Sequence, residues 1–429
     1  MKHPRFSIVI PTRERAETLH YTLLSCLDQD FEDYEIIVHD NCSSSETRAT
    51  VERHQSTRIR YYRSETPLAM TDSWERALSF ATGEYVSIIG DDDALLVHGL
   101  KTLDQFLTKH QAPLVRWNRA SYHWPSHPYP AKRNSLKIPL GNRGYWMPSR
   151  EIIKRVANFE LPFQTLPMLY NSAVHRDLIE EMRRTHGRMF FSPVPDVASG
   201  YALAYLAGRY LSLDTPFTIG GTSGKSGGLA VSTQLIKDDK SEIADEFEDL
   251  NRRAGLLPHP KLPNIYLVPE IIADPYYHIK DLMFPNDHSL DPDRKTLIVN
   301  TLKEVKTLSE NNAKMAVQAL RESLEDAPGL RSWFEKEAAA MLPHKAVEFH
   351  AIKSPRGYVE QEKLIALDPL DFGVTDVYGA AKLCEKILNY DRGGFRCKIG
   401  DFHLSRRQQA RAIGRIVFTR GEATLPDCD

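Results

Sequence analysis

The first hundred residues alternate short apolar runs with stretches of helical period. The apolar runs are rich in β-branched and aromatic residues, as expected of buried strands, and cover Phe6–Ile10, Tyr34–Val38, Ile59–Tyr62 and Tyr85–Ile89. Between the first two runs, leucines recur every four positions over Ala16–Asp28, which predicts a helix with one buried face. Strand and helix therefore follow one another at a regular spacing.

Local signals mark the ends of the next two helices. The segment Ser43–Glu46 has the pattern of a capping box and predicts a helix start. A helix around Trp74 is expected to end at Gly83, because glycine is a common C-cap residue. The βαβ succession predicts an α/β fold with a mostly parallel sheet and helices on both faces. Ligands of such sheets bind beyond the carboxyl ends of the strands.

The pattern changes beyond the first hundred residues. Residues 117–146 are rich in aromatic residues, proline and histidine, and residues 218–228 form a glycine-rich segment. Helical period returns over residues 298–342. We place a domain boundary between these regions, which predicts an α/β domain over 1–235 and a mainly helical accessory domain over 236–429.

Composition places the chain among globular proteins. Its 429 residues exceed the length of one ordinary domain, and 41% of them are hydrophobic and 26% charged. Lys and Arg total 55 against 57 Asp and Glu, so no overall positive charge favours nucleic-acid binding. Five cysteines without a CxxC pair disfavour a disulfide scaffold or a zinc ribbon and favour a reducing compartment.

Targeting signals are not evident in the sequence. The N-terminus lacks the long apolar region of a signal peptide, and no apolar run reaches the roughly 18 residues of a membrane-spanning helix. We therefore expect a cytoplasmic protein. A peripheral contact of its C-terminal half with the inner face of the membrane stays open.

The sharpest chemical feature is Gly90–Asp93, in which three adjacent carboxylates follow an apolar strand. Like charges this close repel one another unless a cation compensates them. Carboxylate oxygens suit the hard cations Mn²⁺ and Mg²⁺, which keep coordination sites for substrate phosphates. A solvated acidic turn is the alternative, and the position at a strand end favours the metal site.

Four segments, in this order, resemble the family 2 glycosyltransferases with the GT-A fold. They are Ser7–Arg13 (SIVIPTR), Ile36–Ser44 (IIVHDNCSS), Ala81–Val86 (ATGEYV) and Gly90–Asp93 (GDDD). The resemblance covers residues 1–100 well and the following segment, to residue 230, loosely. It implies a GT-A-like fold and the transfer of a sugar, with inversion at the anomeric carbon, from a nucleoside diphosphate to an acceptor hydroxyl.

The resemblance also implies roles for single residues on the donor side. The turn that contacts the nucleotide is matched by Pro11, Thr12, Arg13 and Glu14. Asp40 matches the acidic residue that pairs with the base, commonly uracil. Trp74 departs from the pattern, because many relatives have an arginine there.

The acidic segment permits two registers of the family's metal motif. In the first, Asp91 faces the ribose, Asp92 binds the metal and Asp93 supports it. In the second, Asp91 and Asp93 share the metal. Either register implies a bound Mn²⁺ or Mg²⁺.

An inverting transfer also needs a general base near the acceptor hydroxyl. The family usually supplies it from an Asp or Glu at a helix start well beyond the metal motif, and Asp196 within Phe191–Gly200 fits that description. The alternative is that Asp196 only caps its helix. Asp177 and Asp214 are less well placed candidates for the base.

Two further segments contain candidate binding residues. Gly220–Ser226 is not a Walker loop, because three rather than four residues separate its first and second required glycines, Gly220 and Gly224. Lys225 is expected to approach the donor diphosphate from a mobile lid, unless this segment is only an inter-domain linker. Trp124 is a candidate for stacking on an acceptor sugar, although such aromatics more often fill the core.

Together these features predict a metal-dependent, inverting glycosyltransferase of polysaccharide biosynthesis. Its expected partners are a nucleotide-sugar donor, with UDP favoured, and a glycan or lipid-linked acceptor, and no nucleic acid. A nucleotidyltransferase acting on sugar phosphates is one alternative, although Pro11–Arg15 lacks the glycine-rich loop such an enzyme normally has. A non-catalytic protein that binds nucleotides or carbohydrates is the other.

Overall fold

The computed structural model describes residues 3–141, 143–228, 242–338, 356–359 and 361–388. The helices are α1 (Ala16–Leu27), α2 (Ser45–Arg53), α3 (Met70–Ser79), α4 (Gly99–His110), α5 (Ser149–Ala157), α6 (Arg176–His186), α7 (Pro195–Ala207), α8 (Glu242–Arg253), α9 (Val268–Met283), α10 (Arg294–Val305), α11 (Glu310–Glu322), α12 (Pro328–Trp333) and α13 (Val377–Leu388). The strands are β1 (Phe6–Thr12), β2 (Tyr34–Asp40), β3 (Ile59–Arg63), β4 (Tyr85–Ile88), β5 (Ala94–Leu95), β6 (Leu114–Trp117), β7 (Ala120–His123), β8 (Ser135–Pro139), β9 (Gly144–Pro148), β10 (Ser172–His175), β11 (Arg209–Leu213), β12 (Thr218–Thr222), β13 (Gly357–Val359) and β14 (Leu364–Leu367).

The larger sheet has the strand order β3-β2-β1-β4-β10-β6-β11-β9. Its first four strands are parallel, as the sequence predicts. β10 then runs antiparallel to both β4 and β6, and β9 runs antiparallel to β11. The sheet is therefore mixed, and its parallel part brings the carboxyl ends of β1, β2 and β4 to one edge.

Both faces of this sheet are covered by helices, which confirms the predicted layering. Val9 and Ile37 face one core, to which α3, α5, α7 and α9 contribute. Their neighbours Ile8 and Ile36 face the other core, to which α1 and α4 contribute. Because side chains alternate along a strand, continuous apolar runs are needed when both faces are buried.

A second sheet has the order β13-β14-β8-β7-β12-β5. Its first two strands come from the far end of the described chain, and β14 pairs antiparallel with β8. Helix α13 covers this sheet and packs near Tyr21 of α1. The sequence did not predict this strand pair. The predicted boundary after residue 235 lies outside the described residues, so the division into two domains stays a prediction.

Between β12 and β13 the chain forms the helices α8 to α12, as predicted. The prolines that punctuate residues 258–285 do not prevent a helix, because α9 contains Pro269 in its first turn and Pro275 inside it. Within the described ranges, no helix is both long and apolar enough to cross a membrane.

The predicted capping box is wrong in its contacts. Helix α2 begins at Ser45 after the N-cap Ser44, and no side-chain cap hydrogen bond forms there. The Ser43 hydroxyl instead accepts the Glu14 N–H at 2.9 Å, and the Ser44 N–H donates to the Glu14 carboxylate at 2.8 Å. The serines therefore join the turns that follow β1 and β2.

The predicted C-cap role of Gly83 is also wrong. Helix α3 ends at Ser79, with Phe80 as its C-cap. A Cβ at Gly83 would lie 2.5 Å from the Ser7 backbone nitrogen. Glycine is required here because the chain crosses close to β1.

Candidate active site

Residues 91–93, called the acidic motif below, form a turn directly after β4 and are almost fully buried. The Thr12 hydroxyl donates to Asp91 at 2.7 Å. Backbone N–H groups of Gly90 and Gly221 donate to the two oxygens of Asp93 at 2.8 and 2.7 Å. The end of β1, the turn after β4 and strand β12 therefore meet at these carboxylates.

Arg15 supplies the nearest positive charge. Its guanidinium lies 2.8 Å from one oxygen of Asp91 and 3.9 Å from one oxygen of Asp92. Burial opposes the charged form, but the attraction of Asp91 and Asp92 outweighs it and raises the pKa of Arg15. This side chain was not among the predicted site residues, although it follows the matched segment directly.

The electrostatic state of the acidic motif reflects its crowding. Burial and the neighbouring Asp92 raise the pKa of Asp93, Arg119 and hydrogen bonds oppose them, and the net result is a pKa of about 6. Burial also raises the pKa of Asp91, against the opposing effect of Arg15. An added cation would stabilise the ionised carboxylates.

The glycine-rich segment packs against the acidic motif. The Ser223 N–H and hydroxyl both donate to Asp92, at 3.1 and 2.7 Å. A Cβ at Gly221 would lie 1.8 Å from the Asp92 carbonyl oxygen, so only glycine permits this approach. Lys225 is exposed and its Nζ donates to the Glu14 carbonyl at 3.2 Å. Lys225 thus lies beside the turn after β1, and its predicted contact with a diphosphate stays a prediction.

The predicted nucleotide contacts lie at the same edge of the sheet. Arg13 donates to the Asn41 carbonyl at 2.7 Å and to Glu246 of α8 at 3.3 Å. Asp40 is fully buried and accepts from the Ser43 N–H at 2.7 Å and the Tyr61 hydroxyl at 2.5 Å. Its carboxylate is engaged within the protein, so pairing with a base would require these bonds to rearrange.

Asp196 is the second residue of α7 and is not its N-cap, which is Val194. Burial raises the pKa of Asp196, while the backbone N–H of Val197 and the charge of Arg119 lower it. The loop before α7 is fixed because the Ser192 hydroxyl donates to Asp274 of α9 at 2.9 Å. Asp196 therefore has a defined position and a raised basicity.

The alternatives for the base lie elsewhere. Asp177 is exposed and contacts His175, which pairs with the first residue of β4 at the amino edge of the sheet. Asp214 packs against Gly141, and its N–H donates to the Arg143 carbonyl at 2.8 Å. Neither residue has a described contact with the acidic motif.

Arg119 and Tyr170 connect the acidic motif with Asp196, and sequence reasoning missed both. The Arg119 guanidinium carbon lies 4.2 Å from the Tyr170 ring centroid. Tyr170 hydrogen-bonds Asp93, and Arg119 acts electrostatically on both Asp93 and Asp196. The available signal was the position of Arg119, which follows an apolar strand closely, as the acidic motif does.

Trp124 is buried beside the acidic motif. It is 5% exposed, its indole N–H donates to the Asp92 carbonyl at 3.0 Å, and its ring packs near Tyr21 and Tyr122. The residue therefore supports the acidic motif. Its predicted stacking on an acceptor stays untested, and it would need this packing to open.

The acidic motif fits a divalent cation in part. A Cβ at Gly90 would lie 3.2 Å from Asp92 Oδ1 and from Asp93 Oδ2, so glycine leaves room beside these oxygens. Their chemistry suits Mn²⁺ or Mg²⁺. In the described part of the chain, however, no group of three or more His, Cys, Asp or Glu side chains forms a metal site. Substrate oxygens would have to complete the coordination.

A protein-family model described as glycosyl transferase family 2 matches residues 7–181. This range contains β1 to β4, the acidic motif, Arg119 and Tyr170. Asp196 and the glycine-rich segment lie beyond it.

Two curated relatives resemble the N-terminal part of the chain. The GalNAc(5)-diNAcBac-PP-undecaprenol beta-1,3-glucosyltransferase of Campylobacter jejuni is 36% identical over 105 residues, which are 24% of this chain and 34% of that protein. The UDP-Glc:alpha-D-GlcNAc-diphosphoundecaprenol beta-1,3-glucosyltransferase WfgD of Escherichia coli is 24% identical over 112 residues, 26% of this chain and 44% of that protein. The matches thus span less than half of either relative.

Solved structures include a distant neighbour. TarS 1-349 of S. aureus covers 77% of this chain and 91% of its own chain, at 16% identity and a TM-score of 0.41.

Proposed function

Through its residues 7–181 the chain belongs to glycosyltransferase family 2, and from that premise we propose that it is an inverting enzyme that transfers a sugar from a nucleotide donor. One observation carries the proposal. The charge of Arg119 acts on both Asp93 and Asp196, at the carboxyl edge of a GT-A-like sheet. Such an edge is where ligands of α/β sheets bind.

Asp196 is proposed as the general base. Its raised pKa makes it a better proton acceptor than an exposed aspartate, provided that it is ionised at the working pH. The base removes the proton of the acceptor hydroxyl, whose oxygen attacks the anomeric carbon. The bond from that carbon to the diphosphate breaks on the opposite side, which inverts the configuration.

Two positively charged side chains near the turn after β1 are proposed to bind the donor. Arg15 and Lys225 lie between the turn after β1 and the glycine-rich segment. Their charges would attract the diphosphate and offset negative charge on the leaving group. With Mn²⁺ or Mg²⁺ bound at Asp92, a further positive charge would act on the same group.

The donor is proposed to be UDP-linked, and the acceptor a sugar on a lipid diphosphate. The support is the names of the two relatives, of which one names UDP-Glc and both name an undecaprenol-linked substrate. Asp40, with the turn Pro11–Glu14, is proposed to contact the base. An acceptor of this kind would bring the protein to a membrane surface.

The test is turnover of a panel of UDP-, GDP- and ADP-sugars with and without Mn²⁺. The variant Asp92→Asn is expected to lose transfer, because Asp92 offers the oxygen beside the space at Gly90. The matched control Asp177→Asn changes an exposed aspartate and should keep wild-type activity.

Each other outcome identifies an alternative. Pyrophosphate release from a nucleoside triphosphate and a sugar phosphate would indicate a nucleotidyltransferase. Nucleotide binding without turnover of any donor would indicate a binding protein. Full activity in EDTA would contradict the metal requirement and leave the transfer reaction in place.

A further inference from the structure

Arg119 has hydrogen-bonding capacity that the protein does not use. Its Nη1 is buried and has no hydrogen-bond partner. A guanidinium has five N–H donors, and leaving a buried donor unpaired is unfavourable. Such a group in a candidate site is typical of a position that a substrate atom fills.

The contacts around Arg119 hold its guanidinium in place but give Nη1 no hydrogen-bond partner. Its flat face lies over Tyr170, at 4.2 Å from the ring centroid. On another side, a Cβ at Gly220 would lie 3.2 Å from the guanidinium carbon and 3.3 Å from Nη1. The glycine therefore leaves space for Arg119, and the aromatic ring orients it.

The neighbouring carboxylates do not need Arg119 as a partner. Both oxygens of Asp93 accept backbone N–H groups, and Asp91 is paired with Arg15. Arg119 therefore forms no direct ion pair with Asp93 or Asp91. Its positive charge acts on both the acidic motif and Asp196. A phosphate oxygen is the anion that a guanidinium fork matches best among those the proposed reaction supplies.

We propose that Arg119 binds a phosphoryl oxygen of a diphosphate substrate. The proposal rests on the proposed function, which supplies two sources of this chemistry, the donor diphosphate and the diphosphate of a lipid-linked acceptor. Arg119 would then hold the substrate next to both the acidic motif and the general base. Arginine suits this place better than lysine because its planar fork fixes the orientation of the oxygen.

The test is calorimetric binding to the full chain, with UDP for the donor and geranyl diphosphate for the acceptor. Arg119→Gln is expected to weaken one of these ligands by roughly tenfold or more, with binding of uridine unchanged. Weaker binding of UDP would assign Arg119 to the donor, and weaker binding of geranyl diphosphate would assign it to the acceptor.

Two further variants keep the test independent of a folding defect. Gly220→Ala retains the charge but places a methyl group against the guanidinium, so it should weaken the same ligand. Arg209→Gln removes an exposed arginine that lies over Trp146 in a similar way, at 4.6 Å, and should bind like the wild type.

Two results would overturn the inference, and they are distinguishable. If the wild type binds UDP and transfers sugar, while Arg119→Gln and Gly220→Ala bind both diphosphates normally, only the role of Arg119 is wrong. If the wild type binds neither diphosphate and turns over no donor, the proposed function fails together with it.

Discussion

Glu35 and Asp93 are buried to a similar degree, at 8% and 2% exposure, but they lie at opposite edges of the parallel part of the larger sheet. Glu35 is near the start of β2. Burial alone would raise its pKa, but hydrogen bonds from Ser7, Thr82 and Arg60 lower it below the ordinary value. Asp93 follows β4, and there burial and Asp92 raise the pKa to about 6.

Burial alone therefore does not decide whether a carboxylate is ionised. The charged and hydrogen-bonding groups around it decide this. At the amino edge, Arg60 is 2.7 Å from Glu35 and the Ser7 hydroxyl donates at 2.7 Å, so the ionised form is compensated inside the protein. At the carboxyl edge, the charge of Asp92 disfavours the ionised forms of Asp91 and Asp93. Strongly perturbed groups of the second kind are typical of functional sites, whereas complete networks are typical of structural ones.

The largest expected effect is a loss of catalytic rate when Asp196, in the candidate site, is changed. Asp196 and Asp177 are each the second residue of a helix, but only Asp196 lies in the candidate site. Asp196→Asn should lower kcat by roughly 10²–10⁴-fold, because the amide cannot accept the proton. The check is steady-state transfer by Asp196→Asn and by the control Asp177→Asn, which should match the wild type.

Donor binding distinguishes a base from a structural residue. Asp196→Asn should bind UDP as the wild type does, since Asp196 acts on the acceptor. A near wild-type rate for this variant would show that the base lies elsewhere, with Asp214 the next candidate.

A second prediction concerns the amino edge. Glu35→Gln should destabilise the fold by about 1–3 kcal/mol, because it removes a charge from a buried hydrogen-bond network and leaves Arg60 without its carboxylate partner. Transfer per folded molecule should remain unchanged. Urea denaturation and activity of the same sample would check both. A large loss of activity with unchanged stability would mean that Glu35, at the amino edge, has a functional role and not a structural one.

The repeating pattern was sufficient to predict the centre of the fold. Apolar runs such as Phe6–Ile10 and Tyr85–Ile89 fixed the parallel strands, and the succession of elements placed the acidic motif at their carboxyl edge. Those signals are local. The antiparallel insertion of β10 and the pairing of β14 with β8 join distant segments, and no local signal specifies such a pairing.

Residues whose role depends on tertiary contacts were missed or misjudged. The serines near Ser43 look like a capping box, but they bond to Glu14 on another loop. Trp124 looks like a stacking residue, but its indole holds the Asp92 carbonyl. Arg119 carries no motif, and only the tertiary structure shows its unpaired Nη1 and the position of its guanidinium over Tyr170.

The smallest expected effect is a pH dependence of stability that differs between the two edges. The pKa of Asp93 in the folded protein, about 6, lies above its ordinary value of 3.8. Between these values the folded protein binds a proton that the unfolded chain does not. The free energy of unfolding should therefore fall as the pH rises through 6, and the raised pKa of Asp91 acts in the same direction.

Glu35 behaves oppositely, because its lowered pKa makes stability fall only when the pH drops below the ordinary glutamate range. Denaturation of the metal-free protein at about pH 5 and about pH 7.5 should show that the wild type loses about 1 kcal/mol more stability than Asp93→Asn does. An identical pH response in the wild type and in Asp93→Asn would mean that Asp93 stays ionised at the lower pH, and that the two edges treat their carboxylates alike.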